Sequence, residues 1–211
     1  MIVGVCGLIG SGKGTVADIL VSEHGFVKIS FADSLKDAVA TVFGWQRPLL
    51  EGDTDESRAW RERIDVWWAK RLDIPHLTPR WVLQQWGTEV CRDSFHRDIW
   101  IASMERKIYE AKLTCAENFS EPRIVIPDTR FVNEVDMIQR LDGQVWWVRR
   151  NQEPQWFTDY RYNGIEPTEA HPSEWAWARS GFDFTIRNEG TLEDLHVKIY
   201  NLVDNYAQNL S

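Results

Sequence analysis

Apolar positions along this chain follow two rhythms in turn. Met1–Cys6 is a short run rich in β-branched residues and predicts a buried strand. Val16, Ile19 and Leu20 then fall at helical spacing, which predicts a helix over Lys13–Glu23 ended by Gly25. Val27–Phe31 predicts a second strand. Leu35, Val39 and Val42 share one face of a helix over Ser34–Phe43, stopped at Gly44. Trp81–Cys91 and Asp98–Leu113 predict two more helices. Further strands are expected at Arg123–Pro127, Gln144–Val148 and Phe182–Ile186. A helix over Phe131–Leu141 lies between the first two of these. Another, over Thr191–Tyr206, closes the chain, with Thr191 as its cap and Glu193 and Asp194 in its first turn.

Strands that alternate with helices predict an α/β fold: a doubly wound parallel five-stranded sheet with right-handed crossovers. Two stretches break the rhythm. Residues 46–80 are charged and Trp-rich and predict a helical insertion or flap. Residues 150–180 lack a period and predict a lid or loop region. The expected organisation is one domain over 1–211, with a helical substrate-binding insertion at about 46–115 and a lid at about 150–180.

Charge and composition narrow the classes. A net charge of -8 and a pI near 5.2 disfavour a nucleic-acid polymer as partner, since such binders carry a basic face. No apolar run approaches the ~20 residues of a membrane span. Cys6, Cys91 and Cys115 show no CxxC spacing, and MIVGVCGLIG has no basic leader, so a reducing, cytoplasmic setting is expected. The chain has 12 tryptophans in two zones, Trp45–Trp100 and Trp146–Trp177, and these are expected mainly to pack.

The densest chemistry lies in GLIGSGKGT, Gly7–Thr15, between the first strand and the first helix. A G-x4-G-K turn in that context is a phosphate loop. Its backbone N–H groups and the positive end of the helix dipole attract a phosphate chain, and the lysine reaches the terminal phosphates. Gly10, Ser11, Gly12, Lys13, Gly14 and Thr15 are thus the expected ATP-binding residues. The strict pattern places a Ser or Thr magnesium ligand directly after the lysine; here Gly14 intervenes and Thr15 follows. This GSGKGT form resembles that of adenylate kinase and related nucleoside monophosphate kinases.

A second cluster lies in IPDTRFVNE, Ile126–Glu134, at the carboxyl end of the third strand, where open α/β sheets bind ligands. Asp128 suits a magnesium ion, and Arg130 suits the transferring or accepting phosphate. Asn133 and Glu134 suit a sugar or base. Gly87, Thr88 and Glu89 interrupt a helical pattern, and with Trp86 and Arg92 they offer a donor, an acceptor and a cation that suit a nucleotide monophosphate. Asp33 and Lys36 open the second helix at the same edge, and Lys36 offers a further phosphate contact. Arg149, Arg150, Arg161 and Arg179, with His171, are the candidates in or beside the lid.

Five blocks together resemble the deoxynucleoside monophosphate kinases of tailed bacteriophages. They are GSGKGTVAD near the start, SLKDAVATVFGW at 34–45, VLQQWGTEVCRDSFHRDIWI at 82–101, IPDTRFVNEVD at 126–136 and IRNEGTLEDL at 186–195. The resemblance implies a P-loop kinase that passes the ATP γ-phosphate to a deoxynucleoside monophosphate with Mg2+, in the cytoplasm of an infected bacterial host and as a possible homodimer. It implies Lys13, Asp128 and Arg130 as the transfer set. By analogy with related kinases, it places Asn188 at the adenine of ATP. The alternatives are a P-loop kinase of another small acceptor, such as dephospho-coenzyme A, or a nucleotide-binding regulatory protein without transfer activity.

Overall fold

The computed structural model describes residues 1–117 and 122–208. The chain runs β1 (Ile2–Cys6), α1 (Lys13–His24), β2 (Val27–Lys28), α2 (Asp33–Phe43), α3 (Asp55–Arg61), α4 (Val66–Leu72), α5 (Pro79–Gln85) and α6 (Ile99–Glu117). It continues through β3 (Ile124–Ile126), α7 (Val132–Arg140), β4 (Gln144–Arg149), α8 (Gln155–Thr158), β5 (Phe184–Arg187) and α9 (Leu192–Gln208). Two compact units result: Met1–Ser30 with Glu105–Ser211, and Phe31–Met104.

The first unit holds a five-stranded, wholly parallel sheet of order β2-β3-β1-β4-β5. The expected doubly wound α/β fold is present. All five residues of β1 are buried, because the strand is paired on both edges and covered on both faces. Val3 and Val5 face a cluster with Val16 and Leu20 of α1 and Leu195, Ile199 and Val203 of α9. Gly4 faces the other way, and a Cβ there would overlap Ile138 of α7, so the helix lies close on that face. Each such fully buried Val, Leu or Ile contributes about 1.5–3 kcal/mol. The second strand is shorter than the apolar run suggests. Its ladder covers Val27–Lys28, with one further bond from Ile29 N–H to the Val125 carbonyl.

The aperiodic 150–180 segment is pinned to the sheet. Phe157 and Trp177 are fully buried, and their rings, with Phe182, surround Trp147 of β4. The Arg161 guanidinium lies 4.2 Å from the Trp147 ring centroid and donates to the Ala178 carbonyl. The contacts come from short turns, so no sequence period reveals them.

The second unit starts at Phe31 and ends at Met104, not at the bounds of about 46–115 expected from composition. The physical reason is α2: its buried Val39 and Phe43 belong to the core formed by Trp45, Leu50, Ala69, Leu77 and Val82. Phe43 stacks on Trp45 at 4.5 Å and meets Trp68 at 4.9 Å and Trp86 at 5.6 Å. The charged stretch folds because local caps organise it. The Thr54 hydroxyl accepts from Ser57 N–H and the Ser57 hydroxyl from Thr54 N–H, while Asp65 caps α4.

Phe43→Ala should remove the ring on which three tryptophans converge and cost about 3–5 kcal/mol. Urea unfolding followed by tryptophan fluorescence measures it. A loss below about 1 kcal/mol would show that this core does not depend on Phe43.

Candidate functional site

Burial of β1 delivers the glycine turn to the carboxyl edge of the sheet. Ser11 N–H donates to the Leu8 carbonyl and Val16 N–H to the Gly12 carbonyl. Among the described residues, the N–H groups of Gly12, Lys13, Gly14 and Thr15 have no backbone acceptor. These are the orphan donors of a helix start, gathered where the dipole is positive. Gly12 has φ +100°, which only glycine adopts readily.

Lys13 folds back over this turn. Its Nζ donates to the Gly7 carbonyl at 2.8 Å and the Leu8 carbonyl at 2.9 Å. Burial and, after it, the Arg130 charge lower its pKa to about 8, with Cys6 and Glu174 acting in the opposite sense. The loop lysine, Arg130 and Glu174 thus share one electrostatic neighbourhood. Burial pushes the thiol of Cys6, at the end of β1, well above the usual thiol range. Reactivity follows the thiolate, so this thiol is inert at neutral pH.

Asp128 is half-buried in the turn after β3, and the Ser30 hydroxyl donates to its Oδ2. An extended chain through Asp128 and Arg130 would send both side chains the same way. The strand instead ends at Ile126, and the chain turns at Pro127–Asp128. Thr129 is buried at 1 % exposure, and Arg130 is exposed.

Glu134 has a task other than the sugar or base contact expected of it. It is 2 % exposed, and its carboxylate accepts from the N–H groups of Arg130 at 2.6 Å and Phe131 at 3.1 Å. It fixes the loop that carries Arg130. A Glu at the third position of a helix is a cap signal, and the sequence contained it. Asn133, beside it, is half-buried. Asn188 lies on the phosphate loop, its Nδ2 donating to the Ser11 carbonyl at 3.0 Å.

In the 150–180 segment, Arg149 pairs with Glu153 at 2.8 Å, and Arg161 is held among aromatic rings. Arg179 donates to the Tyr160 carbonyl at 3.4 Å. Arg150 is exposed, with no hydrogen bond or ion pair among the described residues. His171 caps the turn Pro172–Glu174, its Nδ1 accepting from Ser173 N–H at 3.2 Å. The residue of this segment with a charge felt by Lys13 is Glu174, which sequence reasoning missed.

The other candidates belong to the second unit. The Lys36 ammonium donates to Glu51 at 2.6 Å, and Arg47 bridges Asp33, Asp37 and Glu51. The expected phosphate contact of Lys36 thus starts from a paired state. No helical period reveals this network, because Arg47 opens a 3-10 turn and Glu51 follows its end. The WGTE block is a π-helix, Trp86–Phe95, continuing from α5. Such wide turns favour functional positions. Trp86 packs into the aromatic core, the Gly87 carbonyl accepts from Trp100 Nε1 at 2.8 Å, Thr88 and Glu89 are exposed and Arg92 is half-buried.

A glycine turn closing on a half-buried lysine, at the carboxyl edge of a parallel sheet of this strand order, fits a nucleotide phosphotransferase of the P-loop kinase class. The chain belongs to the deoxynucleotide monophosphate kinase family, whose sequence pattern matches residues 65–199. A protein of Acanthamoeba polyphaga mimivirus, provisionally named a deoxynucleotide monophosphate kinase, is 29% identical over 224 residues, covering 99% of this chain and 98% of its own length. Among solved structures, dephospho-CoA kinase from Campylobacter jejuni aligns with a TM-score of 0.47 at 16% identity, over 100% of this chain and 98% of that one. Shikimate kinase from Aquifex aeolicus aligns with a TM-score of 0.47 at 12% identity, over 98% of each chain. Among the described residues, no helix is long and apolar enough to cross a membrane.

The lowered pKa of Lys13 has a testable sign. Below about pH 8 the loop carries its positive charge. Above it the free lysine is neutral, and capturing a phosphate chain must take up a proton. ATP affinity should therefore fall by up to about tenfold per pH unit above that point. The unliganded fold should gain stability from about pH 8 toward the ordinary value of 10.5, because the native lysine sheds its proton before the unfolded one. Calorimetry in two buffers of different ionisation heat reads the proton uptake. Lys13→Arg, charged throughout, should lack the slope.

Proposed function

We propose that the chain transfers the γ-phosphate of ATP to a deoxynucleoside 5′-monophosphate, giving ADP and the deoxynucleoside diphosphate. The observation that carries this reading is the folded phosphate loop, with four unclaimed amides around a half-buried lysine. The acceptor class is supported by the family to which the chain belongs.

An oxygen of the acceptor phosphate attacks the γ-phosphorus in line, and the bond to the β-phosphate oxygen breaks. No side chain forms a covalent intermediate. The loop amides and Lys13 hold the triphosphate and offset its growing charge. Arg130 is placed by Glu134 and serves the accepting or transferring phosphate with its planar fork. Asn133, Thr88, Glu89 and Arg92 remain candidates for the acceptor nucleoside, and Arg150 for charge neutralisation from the lid.

The described residues contain no cluster of three or more His, Cys, Asp or Glu that would cage a metal. That suits Mg2+ arriving with the nucleotide, because this ion keeps its waters and takes one or two protein oxygens besides phosphates. Asp128, half-buried beside Ser30, fits such a contact, and Thr15 offers an exposed hydroxyl at the helix start. When bound, Mg2+ would offset the charge of the phosphate chain.

The test is ADP release with ATP and each common deoxy- and ribonucleoside monophosphate. Deoxynucleotides should be the better acceptors; equal kcat/KM for every ribo/deoxy pair would overturn the acceptor assignment. Lys13→Ala should lower turnover by about 10²–10³ in a folded protein. Arg130→Lys should depress kcat/KM for the monophosphate with ATP affinity kept, because the charge stays and the fork is lost. Asp128→Asn should raise the magnesium requirement. Melting curves that fall while both kinetic profiles stay unchanged would assign Asp128 and Arg130 to structure alone.

A further inference from the structure

Ser11, in the glycine turn, is contacted by a residue 177 positions away. Asn188 follows β5, and its own N–H donates to the Arg149 carbonyl at 2.8 Å, which ties it to the end of β4. Its side-chain Nδ2 donates to the Ser11 carbonyl at 3.0 Å, and the residue is half-buried. A Cβ on Gly12 would overlap that same amide. The space a side chain at position 12 would need is filled by Asn188, and this adds to the constraint from φ +100°.

The geometry of a peptide bond gives this contact a consequence. Ser11 C=O and Gly12 N–H belong to one planar trans unit and point in opposite directions. Holding the carbonyl toward β5 turns the Gly12 N–H the other way. That N–H is one of the four amides without a backbone acceptor at the start of α1. The anchor is firm on both sides, since Asn188 is held by the sheet and Gly12 opens a helix whose Val16, Ala17, Ile19 and Leu20 are buried.

We infer that Asn188 is a positioning residue for the phosphate loop: by holding the Ser11 carbonyl it aims the Gly12 N–H at the phosphate chain, whatever base that chain carries. This differs from a contact to the adenine, and it rests on the reading that the loop binds a nucleoside triphosphate. The amide's donor is the working group. Aspartate has the same shape but offers only acceptors and would repel the Ser11 carbonyl.

The experiment compares wild type, Asn188→Asp and Asn188→Ala in calorimetric titrations with ATP, GTP and inorganic tripolyphosphate, with melting curves to establish folding. The expected result is a loss of about tenfold or more, of similar size for all three ligands. KM for ATP should rise while KM for the monophosphate stays near wild type. A loss confined to ATP and GTP, with tripolyphosphate unaffected, would overturn the inference in favour of a base contact. Unchanged binding of all three by folded variants would overturn it as well. Failure of wild type itself to bind ATP and tripolyphosphate would instead overturn the reading of the loop. If the variants do not fold, the side-chain amide resonance of Asn188 in labelled wild type decides. It should shift alike with tripolyphosphate, ATP and GTP, whereas a shift that depends on the base would exclude the positioning role.

Discussion

Everything in the first unit depends on the confinement of β1. Its two edges are taken by β3 and β4, and its faces by α1 and α9 on one side and α7 on the other. A strand held in this way cannot shift register without moving its apolar side chains to the wrong face. The turn that leaves its carboxyl end therefore starts from a fixed point. Phosphate binding by backbone amides needs that rigidity, since the amides act only if their directions are set before the ligand arrives. Lys13 completes the arrangement at a cost, because burial and the Arg130 charge both disfavour its ammonium. An anion in the loop would reverse that imbalance.

The second unit solves a different problem. Phe31–Met104 has no strand among its elements and relies on short helices. Such helices are marginal alone and need tertiary packing. Large rings supply it: Phe43, Trp45, Trp60, Trp68 and Trp86 meet at centroid distances between 4.5 and 5.8 Å. The abundance of tryptophan reads as a way to gain apolar area from few residues. The ion network around Arg47 then fixes the 3-10 turn that follows α2.

What could be read from the sequence was what local spacing determines. β1, the glycine turn, α1 and the run from β3 to β4 follow from apolar period, glycine placement and caps. The interruption at Gly87–Glu89 was visible, although its form as a π-helix was not. The role of Glu134 was carried by a cap pattern and hidden by the pull of a charged residue near a site. Contacts distant in sequence were not legible at all: Glu174 near Lys13, Ser30 on Asp128, and the aromatic ring of Trp147 with Phe157, Trp177 and Phe182. Each pairs residues that no periodic pattern connects.

The ends of the sheet have a consequence for concentrated protein. One outer strand, β2, presents a ladder of two residues, and the other, β5, presents four. Val27 on the first is exposed, but Lys28 beside it is charged and paired with Asp18. Unpaired backbone at a sheet edge invites growth by strand addition, and short, charged edges discourage it. The β2 edge thus offers too little ladder to template cross-β growth between copies, although the strands at the centre of the sheet are as apolar as those of an aggregating segment.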